Sequence, residues 1–396
     1  MRVCGVIAEY DPFHRGHGYH LETARALTGA DYVVCVIGRA FSQRGAPMLF
    51  GTQDRARMAL LGGADLVLGM PVSFSCAAAD RFAMGGVRIL DALGVVTHLG
   101  FGTEDNDLAH LQRIADMLER PSPHVQDALK EALRQGKSFA RAQGEALDTA
   151  LPGVQAVFRH RANMILAVSY LRAMQRLGSA MTPVPVKRKG AYHDTGMMGF
   201  ASASAVRAAL LRGDWQGVEH AVPATSYRVI TRAMAHSAVH VPQALDTLIL
   251  SRILETGIDT SGHVPEMSEG LDMRIQRAAR YAVSREGLLA LVKTRRYPRA
   301  RINRGLTHWM LGTGADSLPA QPGYAYLLGA RERAKPLLAA LRQQGFPLIT
   351  RPAKEDDEHV QADMRAEQLW ALGAGQPAAQ AYQHRFLMLS DTGEWI

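Results

Sequence analysis

The chain has 396 residues, of which 47% are hydrophobic, so it can bury a substantial core and is long enough for two domains. No apolar run reaches the ~18 residues that span a bilayer, and no signal-like segment opens the chain, which argues against a membrane partner and predicts a cytoplasmic protein. The three cysteines lack zinc-type spacing, and the formal net charge of +8 at pH 7 favours an anionic partner.

The first hundred residues alternate short apolar runs with amphipathic stretches. The runs predict four strands, at Val3 to Ile7, Tyr32 to Ile37, Leu66 to Met70 and His98 to Phe101. The stretches between them predict three helices, at Gly18 to Leu27, Gln53 to Leu61 and Ala78 to Leu93. This alternation is typical of right-handed β-α-β units, so we predict an α/β, Rossmann-like domain with a parallel sheet that binds ligands at the carboxyl ends of its strands.

Two histidines lie between the first predicted strand and the first predicted helix, in the turn His14-Arg15-Gly16-His17. A helix N-terminus offers unpaired backbone N–H groups and a partial positive charge, and Gly16 lets an oxyanion approach the backbone closely. Both imidazoles can donate to the same phosphate. The turn therefore predicts a phosphate site, with an ordinary His-rich turn as the alternative in a chain of 15 histidines.

The middle of the chain carries three further predicted elements: helices over 105–150 and Val154 to Leu177, and a strand over Val184 to Val186. The glycine-rich segment from Gly190 to Gly199 is typical of a mobile loop. Ser202 begins another helix, and its hydroxyl together with Arg207 forms a second candidate phosphate site. Plain N-capping is the alternative for Ser202. We place the end of the first domain at residue 220.

Residues 221–396 have a mainly helical pattern, with a loop predicted from Gly257 to Ser268. The segment from Glu269 to Arg304 contains ten Lys or Arg residues and three acidic residues, a net charge of +7. A local field of this sign favours a polyanion such as RNA, and a solvated helix face is the alternative. We therefore predict a helical, basic C-terminal domain.

The segment from Gly5 to His17 resembles the opening of the nucleotidylyltransferase superfamily of the HxGH type. More narrowly, it resembles the tRNA(Met) cytidine acetate ligases, whose signature is Glu-Tyr-Asn-Pro-Phe-His-x-Gly-His. Further matches follow in the family's order, at Phe41 to Pro47, Gly63 to Pro71, Phe101 to Glu104, Asn163 to Leu166, Lys187 to Gly190, Ser202 to Arg207, Glu269 to Leu271 and Lys293 to Tyr297. Their order makes coincidence a poor explanation.

The resemblance implies an ATP-dependent ligase. Such an enzyme joins acetate to AMP, releases pyrophosphate, and transfers the acetyl group to the wobble cytidine of elongator tRNA(Met). It implies ATP and Mg²⁺ as cofactors, with residues 1–220 as the nucleotidylyltransferase-like domain and residues 221–396 as the tRNA-binding domain. His14 and His17 would be the catalytic residues, donating to phosphoryl oxygens in the transition state.

The candidate site residues form two sets. For ATP they are Ile7, Ala8, Glu9, Tyr10, Pro12, Phe13, His14, Gly16, His17, His20, Gly102, Asn163, Arg188, Ser202 and Arg207. For tRNA they are Gln43, Arg44, Lys293, Arg295, Arg296, Arg299 and Arg301. Tyr297 is either a stacking surface for a base or a half-buried packing residue. No side-chain metal site is predicted.

Three positions depart from the family pattern: Asp11 and Ala40 stand where the family has Asn, and Gly69 stands where it has Glu. We expect them in the wall of the acyl pocket, where they would bear on the identity of the carboxylate. Two other functions remain open. An adenylyltransferase for a small phosphorylated metabolite would leave the basic segment unused, and a non-catalytic RNA-binding protein would leave the histidine pair unused.

Overall fold

The computed structural model describes residues 1–104, 106–137, 139–154, 162–188, 200–236, 238–258 and 263–396. Its strands are β1 (Val3–Ala8), β2 (Tyr32–Gly38), β3 (Leu66–Met70), β4 (His98–Thr103), β5 (Thr182–Lys187), β6 (Ala325–Arg331), β7 (Leu348–Ile349) and β8 (Leu387–Leu389). The predictions of β1 to β5 are confirmed to within a few residues at each end.

The helices fall into two groups along the chain. Up to residue 236 they are α1 (Arg15–Thr28), α2 (Thr52–Leu61), α3 (Val72–Ser75), α4 (Ala79–Ala92), α5 (Leu108–Glu119), α6 (Pro123–Arg134), α7 (Phe139–Asp148), α8 (Ala162–Leu177), α9 (Ala203–Arg212), α10 (Trp215–Ala221) and α11 (Ala224–Ala235). Beyond it they are α12 (Asp246–Thr256), α13 (Leu271–Ala279), α14 (Arg285–Val292), α15 (Arg299–Leu311), α16 (Lys335–Arg342) and α17 (Glu358–Gly373). The predicted loop from Gly190 to Gly199 lies outside the described residues, as do residues 155–161 of the predicted long helix.

One sheet organises the described residues, with strand order β5-β4-β1-β2-β3-β6-β7 and with β8 also pairing with β6. Strands β1 to β5 are parallel, as predicted, whereas β6 is antiparallel to β3. The last part of the chain was predicted to be mainly helical, and its three strands were missed. The run Ala325-Tyr-Leu-Leu-Gly-Ala-Arg contains good helix formers, so the open edge of β3 decides its conformation rather than local propensity.

Both faces of the sheet are buried by helices, as expected for parallel strands. Val34 and Val36 of β2 face a core that includes residues of α4 and α8, whereas Cys35 and Ile37 face a core with α1 and α2. A third core joins α12 to α15 and includes Phe41, which follows β2. Among the residues that the structure describes, every helix is too short or too polar to span a bilayer. The division at residue 220 stays a prediction, although residues 325–389 complete the sheet.

Candidate functional site

The His14-Arg15-Gly16-His17 turn forms the start of α1, three residues earlier than the sequence predicts. His14 is the N-cap, and its Nδ1 accepts a hydrogen bond from the backbone N–H of Gly16 at 3.0 Å. His17 Nδ1 accepts from the backbone N–H of His14 at 3.3 Å, which closes a reciprocal capping box. The two rings stack with centroids 3.7 Å apart.

The capping box fixes the tautomer of both imidazoles. Because Nδ1 is an acceptor in each neutral ring, the proton lies on Nε2. A Cβ at Gly16 would lie 2.9 Å from Cε1 of His14, so only glycine lets the His14 ring fold over the turn. The turn therefore holds two stacked N–H donors at a helix N-terminus, an arrangement suited to an anionic oxygen.

Burial keeps these histidines neutral. Burial, together with the positive charges of Arg188 and Arg207, lowers the pKa of His14 to about 3. Burial likewise holds the pKa of His17 well below its ordinary value and lowers the pKa of His20 to about 4, in both cases with help from Arg188. At neutral pH each ring is therefore a hydrogen-bond donor without a charge, and proton transfer from an imidazolium is not available.

These pKa shifts predict that acid destabilises the fold. The histidines titrate near 6.5 when unfolded but resist protonation when folded, so the unfolded chain binds more protons below that pH. Stability should be level above about pH 6.5 and fall progressively toward about pH 4. Urea unfolding of the wild type and of His20→Asn at about pH 7.5 and 5 measures this, with a smaller fall expected for the variant. Equal stability of the wild type at both pH values would contradict the prediction.

Tyr10 and Phe13 support the histidine turn from the core side. Their side chains are 1% and 0% exposed, and the Tyr10 ring lies 4.9 Å from the rings of both Phe13 and His17. The Tyr10 hydroxyl lies 3.4 Å from Cys35 Sγ, inside the sheet. Both residues were predicted to bind ATP. Their side chains are buried and position His17, so only their backbone atoms remain available to contact ATP.

Glu9 and Asp11 orient the loop that follows β2. Glu9 Oε1 accepts from the backbone N–H of Gln43 at 2.7 Å, and the Asp11 carboxylate accepts from the N–H groups of Leu49 and Phe50, each at 2.9 Å. The Asp11 carboxylate also lies 3.8 Å from the Arg207 guanidinium, so its negative charge is paired with a cation. The expected effect of Asp11 on the identity of the carboxylate substrate stays a prediction.

A second group of predicted residues meets at the carboxyl ends of β4 and β5. The Asn163 amide donates to Glu104 Oε1 at 2.7 Å, and Arg188 donates to Asn163 Oδ1 at 3.2 Å. A Cβ at Gly102 would lie 3.6 Å from Cγ of Arg188. Because Arg188 also lowers the pKa of His14, His17 and His20, this group borders the histidine turn. Glu104 was missed as a site residue, although it ends a motif that the sequence analysis singled out.

Arg207 completes the border of the histidine turn. Its guanidinium donates to the backbone carbonyl of Asp11 and, at 3.2 Å, to Ser204 Oγ. The Ser202 hydroxyl instead accepts from the backbone N–H of Ala205 at 3.2 Å, which is the N-capping alternative. Nε2 of His20 is buried and has no hydrogen-bond partner among the described residues. It is therefore an additional polar atom that a ligand could satisfy.

The loop from Phe41 to Pro47, which matches a family motif and contains Gln43 and Arg44, joins the sheet to the helical part of the chain. The Gln43 amide donates to the carbonyl of Ala77 at 2.8 Å. The carbonyl of Gly45 accepts from Arg285 at 2.7 Å and from the Thr307 hydroxyl at 2.8 Å. Gly45 has a φ of +78°, and a Cβ there would collide with the backbone of α15, so glycine is required. The neighbouring residue, Arg44, is exposed.

The residues of the basic segment that were predicted to bind tRNA fall into two groups, those that form ion pairs within the protein and those that do not. Arg296 and Arg301 pair with Glu269 at 3.4 Å and 3.0 Å, and Arg299 pairs with Glu286. Lys293 and Arg295 are also exposed, and neither forms an ion pair with a residue that the structure describes. These two side chains are therefore the ones most available to a polyanion.

Tyr297 is a packing residue. Its side chain is 8% exposed, and its hydroxyl donates to the backbone carbonyl of Glu269. Arg296 and Arg301 lie 5.8 Å and 5.6 Å from the ring centroid. Of the two roles open for Tyr297 from sequence, the structure favours support of the basic surface over base stacking.

Ala40 and Gly69, two of the positions that depart from the family pattern, are buried in the core. A Cβ at Gly69 would lie 3.1 Å from Cδ of Arg39, whose guanidinium lies 3.7 Å from the centroid of the Tyr326 ring. Arg39 pairs with Glu367 of α17 at 3.1 Å. A carboxylate from the end of the chain therefore neutralises this arginine, and Gly69 leaves room for it. Ala40 is buried in the third core, so neither residue behaves as the predicted wall of an acyl pocket.

The whole chain matches known proteins. The family model described as HIGH Nucleotidyl Transferase covers residues 1–385. A tRNA(Met) cytidine acetate ligase of Thermoanaerobacter sp. (strain X514) is 33% identical over 378 residues, covering 94% of each chain, and one of Syntrophotalea carbinolica is 38% identical over 360 residues, covering 88% and 85%.

Solved structures agree with these sequence matches. Thermotoga maritima TmcAL bound with alpha-thio ATP has a TM-score of 0.90 and 30% identity, covering 98% of this chain and 100% of that one. The apo form of the same protein has a TM-score of 0.91 and 31% identity over the same coverage. The chain therefore belongs to the tRNA(Met) cytidine acetate ligases, within the HIGH nucleotidyl transferases.

Proposed function

We propose that this chain is an ATP-dependent ligase that activates acetate as acetyl-AMP and acetylates the wobble cytidine of elongator tRNA(Met), giving N4-acetylcytidine. The observation that carries the proposal is the pair of stacked, neutral Nε2–H donors of His14 and His17, bordered by the charges of Arg188 and Arg207. The name of the related ligases and the alpha-thio ATP bound to the Thermotoga maritima protein support the choice of substrates.

In the first step a carboxylate oxygen of acetate attacks the α-phosphorus of ATP. The bond to the bridging oxygen breaks, and pyrophosphate leaves with the electron pair. Charge spreads over the phosphoryl oxygens, so fixed donors and cations accelerate the step. His14 and His17 donate to these oxygens, while Arg188 and Arg207 supply positive charge. The step transfers no proton, which agrees with histidines that stay neutral.

In the second step the exocyclic amine of cytidine attacks the carbonyl carbon of acetyl-AMP. The bond from this carbon to the phosphate oxygen breaks, AMP leaves, and the amine nitrogen loses a proton. Bases of an anticodon loop are unpaired, so the cytidine can be turned toward the adenylate at modest cost. The basic segment holds the phosphate backbone of the tRNA. We assign ATP to residues 1–220 and the tRNA to residues 221–396, and we expect both steps to take place in the cytoplasm.

The Mg²⁺ of the reaction arrives as part of the MgATP substrate. The carboxylates nearest the turn, Glu9 and Asp11, already accept backbone hydrogen bonds. Among the described residues, no three His, Cys, Asp or Glu side chains are grouped so as to hold a metal ion. Mg²⁺ commonly keeps several waters and binds substrate phosphates, so a protein site is not required.

The test incubates the protein with ATP, labelled acetate and bulk tRNA. Label in N4-acetylcytidine of elongator tRNA(Met), together with pyrophosphate release that depends on acetate, is the expected result. Pyrophosphate release only with a phosphorylated metabolite would instead indicate an adenylyltransferase. Salt-sensitive RNA binding without turnover would indicate an RNA-binding protein without catalytic activity.

Charge reversal at Lys293→Glu and Arg295→Glu is expected to weaken tRNA binding by about tenfold or more, because two exposed cations without ion pairs are lost. Acetate-dependent ATP–pyrophosphate exchange should keep its rate, since the histidine turn is untouched. Filter binding and exchange assays measure the two effects. The matched control is Arg113→Glu with Arg120→Glu, two exposed residues of α5 and its C-cap, which should bind tRNA normally. Equal weakening by both variants would refute a specific role for the basic segment.

A further inference from the structure

A groove of about 1160 Å³ lies beside the last three strands, between β6 to β8 and helix α16. Its floor consists of half-buried apolar side chains that pack against the core of the sheet, namely Leu327, Leu338, Phe346, Leu348, Phe386 and Met388. The residues of the histidine turn and of the basic segment do not line it. The groove is therefore a surface separate from both parts of the proposed ligase site.

The rim of the groove is cationic. The charged side chains that line it are Lys335, Arg342, Arg351, Lys354 and Arg385, and the described lining contains no Asp or Glu. Lys335 pairs with Glu332 at 2.7 Å. The other four have no ion pair and no side-chain hydrogen bond to any residue that the structure describes. Four exposed acidic residues, at 355–358, follow Lys354 directly, so Arg342, Arg351 and Arg385 are the cations whose positive field is left for a ligand to neutralise.

The combination of floor and rim selects a class of ligand. Pockets for small molecules usually have volumes of about 300 to 1,000 Å³, so this groove favours a longer occupant. Aromatic side chains are present at Phe346, Phe386 and Tyr382, whose side chain is 44% exposed. Grooves that bind single-stranded nucleic acid combine cations along the phosphate backbone with aromatic surfaces for the bases. We propose that this groove binds a single-stranded stretch of RNA.

Two other occupants fit the groove less well. A second copy of this chain would bring the same uncompensated cations against a protein whose formal net charge is already +8. A lipid surface is best met by protruding apolar side chains, whereas the apolar floor here is recessed below its charged rim. The proposal rests on the proposed function only for the identity of the RNA, which would be an unpaired part of the same tRNA.

The experiment uses the full chain and a fluorescent single-stranded RNA of about ten nucleotides, with anisotropy as the readout. Arg351→Glu with Arg385→Glu is expected to weaken binding by about tenfold and to reduce the slope of log affinity against log salt by about 1.4, the value for two phosphate contacts. Tyr382→Leu should weaken binding with an unchanged salt slope, since it removes a stacking surface and no charge. The charge-matched control, Arg113→Glu with Arg120→Glu, should bind like the wild type.

The outcomes separate this proposal from the proposed function. Acetate-dependent ATP–pyrophosphate exchange tests the ligase site without RNA, and the groove variants should leave it unchanged. A failure of that exchange in the wild type would reject the ligase reaction. The RNA-binding measurement would still test the groove proposal on its own. Unchanged RNA binding by the groove variants would overturn the groove proposal. The groove proposal would also be overturned if the groove variants bound RNA normally but lost self-association in ultracentrifugation, or lost binding to anionic vesicles.

Discussion

Replacing His17 by alanine is expected to slow acetyl-AMP formation by about 100-fold to 1,000-fold, the usual cost of removing one fixed donor from a transition state. His17 offers Nε2–H because its Nδ1 already accepts from the backbone of His14. Alanine removes this donor and also the ring that stacks on His14 at 3.7 Å. Acetate-dependent pyrophosphate exchange at saturating ATP measures the loss.

The structural cost of this change can be separated from the catalytic one. His17→Ala also loses half of the capping box, which is expected to lower the free energy of unfolding by about 1 kcal/mol. Urea unfolding of the variant measures that cost, and the rate is then compared where both proteins are folded. His236→Ala, at an exposed histidine after α11, is the control for loss of an imidazole. A normal rate in His17→Ala would reject the assignment of the site.

Replacing Arg55 by methionine is expected to lower the free energy of unfolding by about 3 to 5 kcal/mol, because several buried carbonyls lose their donor at about 1 to 3 kcal/mol each. Arg55 is 0% exposed and donates to the carbonyls of Phe50 at 2.9 Å, Glu9 at 2.9 Å and Gly38 at 2.7 Å. It also donates to the carbonyl of Arg39. Methionine fills the space but leaves these acceptors buried without a donor.

A matched control for Arg55 lies on the same helix. Arg57 pairs with Asp54 at 2.9 Å, and both side chains are partly exposed. Arg57→Met should therefore change the free energy of unfolding by less than about 1 kcal/mol, as for other surface ion pairs. Denaturant unfolding of both variants measures the difference. Similar losses in the two variants would show that the buried hydrogen bonds of Arg55 contribute no more to stability than a surface ion pair.

Much of the first half of the fold was predictable because its signals are local. Each strand from β1 to β4 is a short apolar run followed by a helical pattern, and the family motifs supply the same order. Strands β6 to β8 were not predictable in this way. Strand β6 forms because β3 offers an unpaired edge, and β7 and β8 in turn pair with β6. No local pattern in residues 325–331 indicates β3 as the partner.

The candidate site was predictable in part. The turn at His14 and His17 follows from a motif, but the burial of Tyr10 and Phe13 depends on the backbone of the preceding turn, where Tyr10 has a φ of +56°. The Asn163–Arg188 contact joins residues 25 positions apart, and only the fold brings them beside α1. The predicted ligand contacts of these residues stay predictions, which nucleotide soaks would test.

The position of β6 in the sheet has a consequence for synthesis of the protein. Ribosomes release a chain from its N-terminus, so β1 to β4 emerge more than two hundred residues before the strand that covers the edge of β3. During that interval this edge stays open to foreign strands, a known hazard for nascent chains. Fragments truncated before residue 325 are accordingly expected to aggregate. The nascent chain is expected to bind chaperones until β6 covers the edge of β3.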